Sequence, residues 1–141
     1  MIILDTNVLS ALMRDVPDRR IVEWLDAQPW ESIWITSITV FEVRLGLALL
    51  PEGRRRRRLD EAFDQFIEDD LRGRILSFDA VAAGEAATLA ARRRQTSLNV
   101  DIRDTEIAGI ALARRATIAT GNFRHFQDLS VPVINPWATL R

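Results

Sequence analysis

Four polar residues stand where an α/β chain usually places its chemistry, at strand ends and helix starts. Asp5 follows the apolar run Ile2–Leu4, and Glu42 lies early in a helical segment that follows a second apolar run. Asp104 opens a later helical segment, and Asn122 comes just after another apolar run. Ligands of open parallel sheets bind beyond the carboxyl ends of the strands. We therefore expect these four side chains to converge on one sheet edge.

Three clustered carboxylates and one carboxamide favour a hard cation. Carboxylates held close together repel one another, and some become protonated unless a cation lies among them. Oxygen-only ligands select Mg²⁺ or Mn²⁺, and Mg²⁺ usually keeps several waters and leaves room for phosphate oxygens. The matching reaction is phosphodiester hydrolysis, in which the metal acidifies a bound water and neutralises charge on the phosphate and the leaving oxygen.

The carboxylates at helix starts also have a purely structural interpretation. Asp5 suits the N-cap of the helix that follows it, and either Asp104 or Asp101 suits the N-cap of the later helix. Glu42 lies three residues after Thr39, which is the spacing of a capping box.

Asn122 has a structural alternative of its own, because the dipeptide Gly121-Asn122 is typical of a turn. Each residue taken alone fits such a local role. Their predicted convergence on a single edge favours the functional interpretation, since a core does not require it.

The composition narrows the classes of protein open to this chain. Its 141 residues are 48% hydrophobic and 28% charged, which predicts one globular domain over 1–141. The absence of cysteine excludes disulfides, thiolate zinc sites and cysteine nucleophiles. All 19 basic residues are arginine, which excludes the lysine of a P-loop and Schiff-base chemistry. A single histidine excludes His-rich metal cages.

Charge and hydropathy predict a cytoplasmic protein with no membrane partner. The N-terminus has no basic leader, and the longest apolar stretch, Leu45–Leu50, is far shorter than the ~20 residues that span a bilayer. The net charge of −1 does not attract nucleic acid, so any such contact needs a local patch. Two arginine runs, Arg54–Arg58 and Arg92–Arg94, have two possible roles: they bind RNA phosphates, or they form solvated helix surface. In the second case, the arginines of the first run would shield Glu52 and Asp60.

Apolar runs of strand character alternate with helical periodicity along the chain. The predicted strands are 2–4, 32–36, 74–78, 116–120 and 131–134. The predicted helices end near 13, 27, 50, 70, 94 and 115, and Ser37 or Thr39 is expected to cap the third. This alternation predicts a mostly parallel central sheet with helices on both faces. The two helices between 37 and 70 are long for a crossover, so we expect a helical-hairpin lobe beside the sheet.

Four motifs occur in order along nearly the whole chain. They are MIILDTNVLS at 1–10, ITVFEVRLG at 38–46, DTEIAGIA at 104–111 and IATGNFRHF at 118–126, followed by NPW at 135–137. Together they resemble the PIN domain family, in particular the VapC toxins of bacterial toxin–antitoxin pairs and their FitB-like branch. The resemblance implies a PIN-like three-layer α/β/α sandwich and a Mg²⁺-dependent endoribonuclease, with Mn²⁺ as a substitute.

The resemblance also implies roles for the site residues. Asp5 and Asp104 would bind the metal directly, and Glu42 would bind it or hold and deprotonate the attacking water. Asn122 would orient a bound water, and because other members carry aspartate there, the number of metals stays open. Four further residues receive supporting roles: Thr6, Asn7, Asp101 and Thr120. Of these, Asp101 is expected to lie outside the set of metal ligands.

The partners implied by the resemblance are a cognate VapB- or FitA-like antitoxin and an RNA substrate. The toxin would form a homodimer and a higher assembly with the antitoxin, and would contact operator DNA only through it. The alternative function is a weakly active PIN domain that mainly helps an antitoxin bind operator DNA. A phosphoacceptor receiver domain also clusters acids around Mg²⁺, but it needs a lysine that this chain lacks.

The remaining aromatic and basic side chains receive structural roles. We assign His125 to the surface rather than to base catalysis. The tryptophans are assigned to the core or a dimer interface rather than to stacking of RNA bases: Trp24, Trp30, Trp34 and Trp137. Leftover apolar surface near the first three is the expected dimer patch.

Overall fold

The computed structural model describes residues 1–138, and in this part of the chain five parallel strands form the sheet. The strands are β1 (Ile2–Leu4), β2 (Ile33–Thr36), β3 (Ile75–Leu76), β4 (Thr117–Ala119) and β5 (Val133–Ile134). Their spatial order is β3-β2-β1-β4-β5, and every neighbouring pair is parallel. The order reverses at β1, which is therefore the topological switch point of the sheet.

Six α-helices surround this sheet within residues 1–138. They are α1 (Thr6–Leu12), α2 (Arg19–Asp26), α3 (Ser37–Ala48), α4 (Arg54–Gln65), α5 (Ala80–Gln95) and α6 (Ile102–Arg114). A single π turn, Phe66–Asp70, continues α4, and short 3₁₀ turns occur at Trp30–Ser32 and Phe123–His125. None of the helices within this described range is long and apolar enough to cross a membrane.

Two separate hydrophobic clusters lie on the two faces of the sheet. Leu4 and Ile3 are neighbours on β1, and because successive strand residues point to opposite faces, each enters a different cluster. Leu4 packs with the side chains of α1 to α4, whereas Ile3 packs with those of α5 and α6. The predicted three-layer α/β/α sandwich is thus confirmed, and the sheet is parallel throughout.

The predicted helical hairpin is formed by α3 and α4. Val43, Leu47 and Phe63 are buried in the same cluster as Leu4. The hairpin therefore shares a core with α1 and α2, and it places Glu42 of α3 close to the start of α1.

A close helix contact fixes the position of α6 on the other face. A Cβ atom at Gly109 would lie 2.6 Å from the carbonyl oxygen of Ala82 and from the Cβ of Ala86. Only glycine permits this approach of α6 to α5. The contact matters for the site because the first turn of α6 carries Asp104.

The start of α3 differs from the prediction. Thr36 caps α3 by accepting the Thr39 N–H at 3.1 Å, so the predicted cap at Ser37 or Thr39 is wrong and Glu42 is not part of a capping box. Thr36 is buried and its hydroxyl is well placed for this bond, so the helix begins earlier than a cap at Ser37 or Thr39 would allow.

Asp101 is the N-cap of α6, and it accepts the Arg103 N–H at 2.8 Å. Asp104 therefore lies inside the first turn instead of capping the helix. Of the two capping alternatives left open by the sequence, the structure selects Asp101. Asp104 therefore does not cap α6, and its side chain can take part in the site at the sheet edge.

Candidate active site

Asp5 lies at the carboxyl end of β1, at the switch point of the sheet, and its side chain is almost fully buried. One carboxylate oxygen accepts the Thr6 N–H at 2.8 Å, which caps α1. The other accepts the Thr120 hydroxyl at 2.8 Å and the Asn7 amide at 3.1 Å. Capping and a site role are therefore compatible, and the supporting residues Thr6, Asn7 and Thr120 all contact Asp5.

Burial raises the pKa of the Asp5 carboxyl from 3.8 to about 6. Hydrogen bonds from Thr120 and Thr6 oppose this change by stabilising the anion, whereas the negative charges of Asp104 and Glu42 add to it. The three predicted acids thus lie near enough to interact electrostatically. Their mutual repulsion is the property expected of a site for a cation.

A chain of threonine hydroxyls holds Glu42. Thr6 donates to Glu42 Oε1 at 2.9 Å, and its own oxygen lies 3.0 Å from the Thr39 hydroxyl. Thr36 in turn donates to Thr39 at 3.4 Å. This arrangement fixes one carboxylate oxygen of Glu42, and the other faces Arg103 at 3.8 Å.

Asp104 contacts a histidine that the sequence analysis placed elsewhere. His125 Nδ1 lies 2.7 Å from Asp104 Oδ2. The ring is 40% exposed, so a surface position was partly correct, but the contact brings His125 into the candidate site. Its place three residues after Asn122, inside the fourth motif, was the available sequence signal.

Arg103 is a second residue that the sequence analysis did not select. Its guanidinium pairs with Asp101 at 3.3 Å as well as with Glu42. Hydrogen bonds from Arg103 lower the pKa of Asp101, which stays an anion at the rim of the site. Asp101 thus acts as a helix cap and an anchor for Arg103.

Asn122 lies on an exposed turn directly after β4. Its N–H donates to the Thr120 hydroxyl at 2.9 Å, so the backbone of Asn122 is linked to Asp5 through Thr120. Asn7 strengthens the same turn by accepting the Gly121 N–H at 3.0 Å. The structure therefore brings the Asn122 turn to the same edge as Asp5, as the sequence predicted.

A buried arginine braces the loop that carries Asn122 and His125. Arg93 of α5 is only 3% exposed, and it binds both carboxylate oxygens of Asp128, at 3.0 and 2.8 Å. It also donates to Thr105 at 2.9 Å and to the carbonyl oxygen of His125 at 2.5 Å. The hydrogen bonds from Arg93 to Asp128 lower the pKa of the Asp128 carboxyl. We call Arg93 and Asp128 the loop clamp.

The arginines of the two runs differ in their contacts, so neither predicted role applies to all of them. Arg93 is neither solvated nor free for RNA, because the clamp occupies its donors. In the first run, Arg58 pairs with Asp15 at 3.2 Å, and the expected shielding of Asp60 is provided instead by Arg44 at 3.8 Å.

The donor chemistry of the site fits a hard cation, although the side chains are not gathered into a finished ligand shell. Asp5, Glu42 and Asp104 supply carboxylate oxygens, and Asn122 supplies an amide oxygen. Within residues 1–138, no three Asp, Glu, His or Cys side chains are close enough to form a preassembled metal cluster. A cation would compete with Arg103 for Glu42 and with His125 for Asp104.

The fold and the site define an α/β/α protein with an acidic edge at the switch point of a parallel sheet. The PIN domain family model matches residues 2–131, and the chain belongs to that family. The plasmid stability protein StbB of Pseudomonas syringae pv. tomato is 40% identical over 137 residues, which cover 97% of this chain and 99% of that protein.

Two further comparisons agree with the VapC-type resemblance of the motifs. The VapC ribonuclease Y4jK of Sinorhizobium fredii is 37% identical over 97% of this chain and 98% of its own length. The structure of FitAB bound to an IR36 DNA fragment matches with a TM-score of 0.89 and 38% identity, covering 97% of this chain and 96% of that chain.

Proposed function

We propose that this chain is the toxin of a type II toxin–antitoxin pair and a Mg²⁺-dependent endoribonuclease. The observation that carries the proposal is the proximity of Asp5, Glu42 and Asp104 at the switch point, where burial, with a smaller contribution from the charges of Asp104 and Glu42, raises the pKa of Asp5 to about 6. Such an oxygen-only acid cluster suits metal-assisted hydrolysis of a phosphodiester. Similarity to a VapC ribonuclease supports RNA as the substrate.

The residues of this chain divide the work of the reaction. Asp5, held by Thr6 and Thr120, and Asp104 would bind Mg²⁺, which supplies positive charge to the phosphate and makes water more acidic. Glu42 has one oxygen fixed by Thr6, and its other oxygen, which faces Arg103, would accept the proton of the attacking water. Asn122 would hold that water by its amide.

An Asp5→Asn variant tests the proposal. The substitution removes a charged ligand while keeping the size of the side chain. We expect the rate of RNA cleavage in Mg²⁺ to fall by more than about 100-fold, beyond the usual cost of losing an outer partner of a metal. The measurement is cleavage of a labelled single-stranded RNA by the purified chain, with EDTA as the zero-metal reference.

An Asp26→Asn variant is the matched control, because Asp26 is an exposed residue of α2. It should cleave like the parent. Cleavage by Asp5→Asn at the parental rate, or parental activity that is unchanged by EDTA, would show that the site assignment is wrong.

Regulation by an antitoxin follows from the same acid cluster. The FitAB structure, one chain of which is similar to this chain, contains a bound DNA fragment, and we propose a comparable antitoxin complex here. An arginine of the antitoxin would make charge-assisted hydrogen bonds to the carboxylates and compete with Mg²⁺. A cavity of about 660 Å³ between α1 and α4, with Leu9, Leu12 and Phe63 in its lining, offers apolar surface for the rest of the antitoxin segment.

The second candidate function, a weakly active subunit that mainly helps an antitoxin bind operator DNA, is favoured by the DNA-bound FitAB similarity. The same cleavage assay separates the two functions. If the isolated chain fails to cut RNA in Mg²⁺ while its antitoxin complex binds operator DNA, the second function replaces the first.

A further inference from the structure

We propose that a polar pocket beside the acid cluster binds one nucleotide of the RNA strand adjacent to the cleaved phosphodiester. This inference rests on the proposed ribonuclease function and adds a substrate subsite to it. The pocket has a volume of about 340 Å³. We call it the nucleotide pocket, and its lining consists of Asn7, Arg14, Gly121, Asn122, Asn135 and Trp137.

The nucleotide pocket adjoins the candidate active site, because Asn7 and Asn122 belong to both. Asn7 lines the pocket and donates to Asp5 Oδ2 at 3.1 Å. Asn122 also lines it, and its N–H bonds to Thr120, which donates to the same oxygen of Asp5. A strand whose phosphodiester lies at Asp5 would therefore place a neighbouring nucleotide in this pocket.

Among the residues that the structure describes, Arg14 is the one cation in the lining of the pocket. Among residues 1–138, Arg14 has no hydrogen-bond or ion-pair partner, although it lies beside Asp15, which pairs with Arg58. An exposed guanidinium with all its donors free matches the oxygens of a phosphate group. Arg14 thus offers charge complementarity to an RNA backbone in a protein whose net charge is −1.

Trp137 forms a fixed aromatic wall. Its backbone N–H donates to Asn135 Oδ1 at 3.0 Å, and its indole N–H donates to Asp18 Oδ2 at 2.9 Å. The hydrogen bonds from Trp137 and Arg20 lower the pKa of Asp18 to about 2, so this anchor is an anion at neutral pH. The wall is thus in place before any ligand binds.

Gly121 permits the wall to stand close to the active-site turn. A Cβ atom at Gly121 would lie 2.8 Å from the six-membered ring of Trp137. The ring also packs against the hydrophobic cluster of α1 to α4, which agrees with the expected core role. Lining a pocket for RNA is an additional role, because the sequence favoured core or interface positions for the tryptophans over contacts with RNA bases.

The free polar groups of the pocket suit a base rather than a peptide side chain. In the described part of the chain, the side-chain carboxamide of Asn122 has no hydrogen-bond partner. The side-chain oxygen of Asn135 accepts the Trp137 N–H, and its side-chain nitrogen has no acceptor there. Unstacked RNA bases are recognised by aromatic rings together with hydrogen bonds to their edges. Within residues 1–138, the lining includes no acid for an antitoxin arginine. The volume lies near the lower end for ligand pockets, which suits one nucleotide.

The test measures RNA binding without cleavage. The protein is the full chain carrying Asp5→Asn, in EDTA, and the probe is a fluorescein-labelled single-stranded 2′-O-methyl oligoribonucleotide of mixed sequence. Adding Arg14→Gln should weaken binding by about 10-fold and lower the slope of log affinity against log salt by about 0.7, the contribution of one phosphate contact on a single strand. Fluorescence anisotropy gives both quantities.

Arg19→Gln is the matched control, since Arg19 is an α2 side chain that is 90% exposed and, among the described residues, pairs only with Glu23. It should leave affinity and salt slope unchanged. If Arg14→Gln behaves like Arg19→Gln, the pocket does not hold a phosphate and the proposal is overturned.

Indole fluorescence tests the wall. Binding of the probe should quench part of the tryptophan emission, and Trp137→Phe should lose that part of the quenching. The proposal that a base lies beside Trp137 would be overturned if Trp137→Phe kept the full quenching. It would also be overturned if nucleoside 5′-monophosphates failed to displace the probe. Quenching only by an antitoxin peptide would assign the pocket to the protein partner instead.

These readouts separate the subsite from the proposed function. If the probe binds as described and the parent chain cuts no RNA in Mg²⁺, the ribonuclease function fails while the nucleotide pocket stands. If the parent cuts RNA and Arg14→Gln changes neither binding nor the KM of cleavage, the function stands and the pocket assignment fails.

Discussion

Asp5 caps α1 and is also the most deeply buried of the three site carboxylates. The cap explains why an aspartate is tolerated at the end of a buried strand, because Thr6, Asn7 and Thr120 satisfy both of its oxygens. It does not remove the cost of burying a charge. The raised pKa of Asp5 is the measure of that cost.

Stability in the absence of divalent metal should fall as pH rises through the Asp5 transition. Between the unfolded pKa of 3.8 and the folded value of about 6, the folded state keeps a proton that the unfolded state has released. Stability therefore decreases with pH in this window, by about 3 kcal/mol in total for Asp5 alone. Urea unfolding in EDTA from pH 3.5 to 7.5 measures the change.

Asp5→Asn should remove that dependence. At pH 7 we expect the variant to be more stable than the parent by about 1–3 kcal/mol, the range allowing for hydrogen bonds that an amide cannot accept. Near pH 4 the gain should vanish. The exposed control Asp26→Asn should follow the parent, and a difference between Asp5→Asn and the parent that is constant with pH would contradict the expectation.

At the scale of elements, the loop clamp joins α5, α6 and the loop after β4. Arg93 links Asp128 and the His125 carbonyl to Thr105, which neighbours Asp104 in α6. The clamp thus holds two parts of the candidate site, from different elements, in one position. Gly109 contributes at the same level by letting α6 approach α5.

Arg93→Met should destabilise the protein by about 3 kcal/mol, because it leaves Asp128 without its partner and unpairs Thr105. It should also speed amide hydrogen exchange selectively in residues 121–129. Arg94→Met is the matched control, since Arg94 is the exposed neighbour of Arg93 on α5. Equal stability of the two variants, or exchange that rises evenly over the chain, would contradict the role of the clamp.

At the scale of the whole molecule, the exposed apolar surface lies only in part where the tryptophans predicted it. Trp24 is buried and Trp34 packs into the second cluster, whereas Trp30 is 37% exposed, so only Trp30 of the three offers exposed surface to the expected dimer patch. A longer set of exposed apolar residues with helical spacing consists of Phe41 and Leu45 on α3 and Leu49 at its C-cap. A helix that is apolar on its outer as well as its inner face favours a partner.

We expect a homodimer formed through this stripe of α3, because the PIN toxin resemblance implies one and a two-fold interface can use the same stripe in both copies. Leu45→Glu should weaken dimerisation by at least about 30-fold, the effect of losing a central apolar contact. Light scattering after size exclusion at micromolar concentration measures the mass.

Val81→Glu is the control, since Val81 is an exposed apolar residue on α5. It should remain a dimer. A monomeric parent, or a Leu45→Glu variant that stays dimeric, would show that α3 is not the interface.

The sequence by itself determined the order of strands and helices, the class of fold and the edge at which Asp5, Glu42, Asp104 and Asn122 meet. These features follow from local patterns, because apolar periodicity distinguishes strand from helix, and parallel strands bring their carboxyl ends together. Four motifs in order were enough to indicate the family that the comparison then confirmed.

Only the tertiary structure decided which partner each polar side chain takes. The Trp137–Asp18 bond joins residues 119 positions apart, and the Arg93–Asp128 and His125–Asp104 contacts span 35 and 21. No local pattern encodes such pairs, because they depend on how packed helices bring distant turns together. The nucleotide pocket, the loop clamp and the exposed stripe of α3 all arise at this level, where packing determines which side chains face one another and which remain free.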